Sequence, residues 1–83
     1  MTVQFEYLDA VAIQVAKGEL DAAGALSTGE RCYVALAANS IEMLAADNYT
    51  IAEAIARLGV EWTEELVTRW RYRGNPKYYE GEN

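Results

Sequence analysis

The chain contains no histidine, and its 83 residues include a single cysteine, Cys32. Without histidine the protein has no imidazole to act as a general base or to bind a metal ion. A lone cysteine can form neither an internal disulfide bond nor a zinc site made of several thiolates. These absences remove most of the side-chain chemistry that a small enzyme uses, and they favour binding over catalysis.

Basic side chains are scarce as well, because 7 Lys and Arg face 13 Asp and Glu for a net charge of −6. Binding to DNA depends mostly on Lys and Arg that neutralise phosphates, so direct nucleic-acid binding is not expected. No run approaches the roughly 20 apolar residues of a membrane helix, and no basic start followed by an apolar stretch resembles a signal peptide. Low cysteine usage is typical of a reducing compartment, and we expect a cytoplasmic protein without membrane contact.

The length is that of one domain, and about half of the residues are apolar. We predict a single helical domain over residues 1–76 and a polar C-terminal tail over residues 77–83. So short a chain buries only a modest core, which makes a homodimer possible.

Two capping boxes mark helix starts, Ser27-Thr28-Gly29-Glu30 and Thr50-Ile51-Ala52-Glu53. Apolar residues follow each box at three- and four-residue steps, which is typical of an amphipathic helix. The sequence predicts one helix from about Thr28 to Ala46 and a shorter one from Ile51 to Leu58. The predicted apolar faces of these helices include Tyr33, Leu36, Ala37, Ile41, Leu44, Ile51, Ala54, Ile55 and Leu58.

Gly59 follows the second of these helices, where glycine adopts a left-handed C-cap without steric cost. After a brief link, Thr63 is predicted to cap a further helix, with Trp62 and Val67 forming a hydrophobic staple. This helix would stop at Gly74-Asn75-Pro76.

The N-terminal segment fits two patterns. Val3, Phe5 and Tyr7 alternate as in a strand, whereas the spacing from Leu8 to Ala16 is that of a helix. A strand without a partner would leave its backbone unpaired, so we favour a helix over Gln4–Lys17.

A single helical turn is expected between Gly18 and Gly24, where the chain reads Glu19-Leu20-Asp21-Ala22-Ala23. The whole pattern predicts an all-α fold, a small bundle of about four helices. It includes a hairpin that resembles a helix-turn-helix over residues 50–74.

That hairpin resembles the two helices of bacterial and phage helix-turn-helix regulators, and the resemblance covers about 25 residues. It implies a DNA-binding regulator that uses the segment from Thr63 to Arg73. The start of the second helix, however, carries Glu61, Glu64 and Glu65, which would face phosphates. We therefore keep this function as the alternative.

Two surfaces are candidate partner-binding sites. The first is acidic, and its carboxylates would occupy a basic groove on a partner as the phosphates of a nucleic acid do. The residues assigned to it are Glu53, Glu61, Glu64 and Glu65, and Glu30, Glu42 and Asp47 are further candidates. The second lies at the C-terminal end, where arginine and aromatic residues, the types enriched at interface hot spots, alternate. It comprises Arg69, Arg71, Tyr72 and Arg73.

Catalysis is not expected. Cys32 has no histidine to activate it, and its surroundings indicate core packing. Glu64 and Glu65 are adjacent, but neighbouring helix residues point in different directions. No glycine-rich phosphate loop is present, and we expect neither a metal nor another cofactor.

In size and charge the chain is similar to the small acidic accessory proteins of phages and mobile elements, which include anti-CRISPR and other anti-defence inhibitors. The resemblance implies a stoichiometric inhibitor that binds a host protein complex, often at a nucleic-acid-binding surface. A structural subunit of a larger assembly is a third possibility, for which an exposed apolar patch would be the sign.

Overall fold

The computed structural model describes residues 2–71, which form four α-helices and no strand. The helices are α1 (Thr2–Ala16), α2 (Thr28–Ala37), α3 (Ile41–Ala46) and α4 (Ile51–Trp70). A 3₁₀ turn, Leu20–Ala23, lies between α1 and α2. The predicted all-α bundle is therefore confirmed. So are the N-terminal helix and the helical turn, whereas the strand alternative is wrong.

The core lies around α2, which packs against α1, α3 and α4. Tyr33 and Val34 of this helix are completely buried, and Cys32 lies beside them in the core. The second half of α4 closes the core with Trp62, Leu66 and Trp70. The buried face of α1 contributes Phe5, Leu8, Val11, Ala12 and Val15.

Both capping boxes are confirmed. The Ser27 hydroxyl accepts the Glu30 N–H at 3.3 Å, and the Glu30 carboxylate accepts the Ser27 N–H at 2.9 Å. Thr50 and Glu53 exchange the same pair of hydrogen bonds, each 3.0 Å long. These local signals place the starts of α2 and α4 where the sequence predicted them.

The single helix predicted from Thr28 to Ala46 is wrong, because the chain breaks between α2 and α3. Asn39 adopts a positive φ of 55°, a conformation that Asn tolerates better than most residues. Ser40 then caps α3, since its hydroxyl accepts the Met43 N–H at 3.1 Å. The apolar spacing continues across this corner without a change of period, so the sequence pattern did not reveal the break.

Gly59 has a positive φ as predicted, with φ 81° and ψ 174°. It divides α4 into two helical segments, residues 51–58 and 60–70, which meet at a kink. The predicted cap at Thr63 is wrong, because helix resumes directly after Gly59 and Thr63 lies inside the second segment. The predicted staple is absent too, since Val67 is exposed.

Candidate functional site

Five aliphatic side chains of α3 and α4 are exposed, although the sequence placed most of them on apolar helix faces. We call this set the α3–α4 apolar surface, and it consists of Ile41, Ile51, Ile55, Val60 and Val67. Val60 is the most exposed of them at 75%. In the first segment of α4, by contrast, only Ala54 is fully buried. This helix therefore carries more apolar surface than the core of the described chain covers.

A groove of about 410 Å³ lies at the kink of α4 within this surface. Gly59 interrupts the helix there, so that side chains of both segments line the same depression. Its lining consists of Ile55, Ala56, Gly59, Val60, Thr63 and Glu64.

A smaller depression of about 110 Å³ lies between α3 and the start of α4, and Ile41 and Ile51 both line it. Ile51 and Ile55 are one helical turn apart, so they lie on one face of α4. The apolar surface therefore continues from α3 to the kink.

A carboxylate borders the kink groove. Glu64 is the one charged residue among the described side chains that line it, and Glu61 is exposed in the same turn of α4. Arg57 lines a different groove, together with Gln4 and Trp62. Over residues 2–71 eleven carboxylates outnumber five basic side chains, a net charge of −6. The kink groove thus combines an apolar lining with a negative border.

The other two carboxylates assigned to the acidic surface have local partners. Glu53 is exposed, and its side chain accepts the Thr50 N–H in the capping box. Glu65 lies 3.5 Å from Arg69, one helical turn further along α4. The structure therefore brings Glu64 to the groove and leaves Glu61 exposed next to Val60 in the chain, whereas Glu53 caps α4 and Glu65 forms an ion pair within the helix.

The C-terminal candidate residues are divided between core and surface. Arg69 is partly buried, donates to Asp9 at 2.8 Å and lies over the Phe5 ring at 5.7 Å. Arg71 is exposed at the end of the described chain. Tyr72 and Arg73 lie outside the described residues. Arg69 thus has a structural role, and the rest of the predicted cluster stays a prediction.

Sequence reasoning missed the most connected polar residue, Asp9, which is 4% exposed. Its Oδ1 accepts the Tyr33 hydroxyl and the Trp70 indole N–H, both at 2.7 Å, and its Oδ2 accepts from Arg69 Nε. One carboxylate therefore ties α1 to α2 and to the end of α4. A signal was available, because Asp9 lies four residues after Phe5 and directly follows Leu8, within the apolar stripe of α1.

The titration of the groups around Asp9 follows from these contacts. The hydrogen bond from Arg69 to Asp9 raises the pKa of the guanidinium, so Arg69 stays charged. Burial, and then the hydrogen bond to Asp9, raise the pKa of the Tyr33 hydroxyl, which keeps it protonated as a donor. The side chains around Asp9 thus satisfy a buried charge.

The thiol of Cys32 is enclosed as well. Cys32 is 3% exposed, and burial raises the pKa of its thiol, which disfavours the nucleophilic thiolate. Residues 2–71 hold no cluster of three or more side chains suited to a metal ion. None of the helices in this stretch is both long and apolar enough to span a bilayer.

Comparison of the chain with protein-family models, with curated proteins and with solved structures finds no match.

Proposed function

We propose that this protein is a non-catalytic binding module, a small acidic inhibitor that acts by covering a basic surface of a host protein complex. The observation that carries the proposal is the α3–α4 apolar surface with Glu61 and Glu64 at its edge. Exposed apolar patches bordered by polar groups mark interaction sites, because burying them against a partner releases water from apolar area.

The charge of this surface indicates the chemistry of the partner. Carboxylates at the edge of an interface attract Lys and Arg of a partner and repel acidic surfaces. Nucleic-acid-binding proteins present such basic surfaces, since they neutralise phosphates. A binder that covers one of them inhibits by occupying the site and needs no chemistry of its own.

The alternative function is helix-turn-helix DNA binding through α4. Two helical segments flank Gly59, as that function requires, but a single residue joins them, whereas a helix-turn-helix has a turn of three to four residues. The exposed face of the second segment presents Glu61 and Glu64, which repel phosphates. Both observations favour a protein partner over DNA.

Quantitative affinity capture tests the proposal. Tagged protein is incubated with nuclease-treated lysate of the source cells, and retained proteins are measured by mass spectrometry. The double variant Glu61→Gln/Glu64→Gln removes two exposed charges and leaves the helix intact. We expect it to retain the specific partner about five- to tenfold less well than the wild type, because each interfacial charge pair contributes up to about 1 kcal/mol.

A matched control is Glu6→Gln/Glu19→Gln, which removes two exposed charges outside α3 and α4. This control variant should retain as much of the specific partner as the wild type does. Equal losses in the two double variants would show an effect of net charge alone and would reject the acidic surface as the contact. Recovery of duplex DNA, or of proteins that disappear with nuclease, would instead support the regulator.

A further inference from the structure

We propose that the kink groove of α4 binds one amphipathic helix of the partner, with aliphatic side chains on its inner face and Lys or Arg along its edges. This inference rests on the proposed function, and it specifies the element that is bound. It goes beyond a general acidic surface because it assigns the contact to a particular depression in α4.

The shape of the groove suits a helix. Part of the lining is made of small residues, namely Ala56, Gly59 and Thr63. The larger aliphatic side chains of Ile55 and Val60 lie in the same lining. Small side chains allow the backbone of a packed element to approach closely, and larger aliphatic ones insert between its side chains. Helices that bind grooves use aliphatic anchors at three- and four-residue steps in this way.

Charge favours a basic helix over a second copy of this chain. In a symmetric dimer the same patch is used by both subunits, so a groove whose one charged lining residue is Glu64 would meet an identical groove without Lys or Arg. Such a pairing of like charges is unfavourable. A helix with Lys or Arg beside its apolar face places opposite charges there instead.

A designed peptide of about 20 residues tests the proposal, since shorter isolated helices are marginal in water. It carries Leu and Ile on one face and Lys on both sides of that face. The peptide is titrated into ¹⁵N-labelled full-length protein, and amide shifts give both the affinity and the site. We expect the largest shifts at residues 55–64 and at least tenfold weaker binding when Glu replaces each Lys of the peptide.

Variants of the protein locate the contact. Val60→Ser should weaken peptide binding by roughly tenfold, as loss of a central interface anchor does. Glu64→Gln should weaken it by about two- to fivefold, as expected for one exposed charge pair. The controls Ile13→Ser and Glu6→Gln change exposed residues of α1, and they should leave the affinity unchanged.

Two kinds of result would overturn the inference. The first is binding of the charge-reversed peptide with equal affinity, or shifts centred on α1. The second is no peptide binding while capture of the cellular partner still depends on Glu61 and Glu64, which would leave the proposed function standing and reject the helical mode. If peptide binding and that dependence both fail, the proposed function fails as well.

Discussion

At the residue scale, Asp9 shows how a charge is kept in a small core. A buried carboxylate is stable only if donors replace the water it loses. Tyr33, Trp70 and Arg69 supply three such donors, and they come from two other helices. Asp9 therefore favours one arrangement of α1, α2 and α4, which an entirely apolar contact would specify less sharply.

The substitution Asp9→Asn should strongly destabilise the fold. The amide that replaces the carboxylate is neutral and leaves the Arg69 guanidinium without its buried counter-charge, so we expect a loss of about 3 kcal/mol in the free energy of unfolding. Tyr33→Phe removes one hydrogen bond only and should cost about 1–2 kcal/mol. Urea denaturation monitored by circular dichroism measures the free energy of unfolding of both variants. A smaller loss for Asp9→Asn than for Tyr33→Phe would contradict this role.

Thr63 should show the opposite behaviour. Thr63→Val replaces a buried hydroxyl that has no hydrogen-bond partner among residues 2–71 with a methyl group of similar size, and we expect an increase of about 0.5–1 kcal/mol in the free energy of unfolding. Thr68→Val is a suitable control, because Thr68 is exposed on the same helix. Destabilisation by Thr63→Val would show that the hydroxyl is satisfied.

At the element scale, the kink lets both segments of α4 reach the core while leaving an exposed groove between them. The backbone angles of Gly59 fall in a region that is essentially restricted to glycine. An added Cβ would meet no atom within 4 Å, so the restriction is one of backbone conformation rather than of space.

Gly59→Ala should therefore lower the free energy of unfolding by about 1–3 kcal/mol. Gly29→Ala is the matched control, since Gly29 lies in α2 with helical backbone and open space around its Cα. That control should instead stabilise by about 0.4–1 kcal/mol. Thermal and urea unfolding of both variants decide the matter. An equal increase in the free energy of unfolding for both variants would mean that the fold does not need the backbone conformation of Gly59.

The capping box of α2 should give the protein a specific acid sensitivity. Hydrogen bonds from the Ser27 N–H and the Gln4 amide lower the pKa of Glu30 below its usual 4.5. The stabilisation that ionised Glu30 contributes is thus fully present above the pKa of Glu30 in the unfolded chain. It is lost as the pH falls through the lower pKa of Glu30 in the folded protein.

Glu30→Gln keeps a side chain that can accept the same backbone hydrogen bond but cannot titrate. We expect the wild type to lose more stability than this variant between about pH 5 and pH 3. The free energy of unfolding, measured across this range, gives the two slopes. Parallel curves would contradict the role assigned to Glu30.

At the scale of the whole molecule, the starts of α2 and α4 were predictable from the sequence because they depend on local chemistry. Ser27 and Thr50 cap their helices through residues three positions away. Gly59 adopts its positive φ because it has no side chain, and this also needs no distant contact. Burial depends on distant segments, so the apolar spacing of Ile51 and Ile55 indicated a helix but could not show that this face is uncovered. For the same reason the donors of Asp9, 24 to 61 residues away, were not predictable.

The candidate site emerges from this mismatch between pattern and burial. The sequence predicts an acidic surface that includes Glu61 and Glu64, and the structure shows both residues exposed on α4, a helix that also has exposed aliphatic side chains. An acidic border attracts a basic partner, and apolar area retains it once water is displaced. This combination supports the proposal that the surface binds a protein.

Site-specific photo-crosslinking tests the proposed binding surface in the presence of the cellular partner. A photoreactive amino acid is placed at Val60 in one protein and at Tyr7 of α1 in another, both being well exposed. Each protein is irradiated in nuclease-treated lysate of the source cells, and the adducts are identified by mass spectrometry. We expect an adduct with one specific basic protein from position 60 and none from position 7. Adducts from position 7 alone, or none from either position, would contradict the assignment of the α3–α4 apolar surface as the binding site.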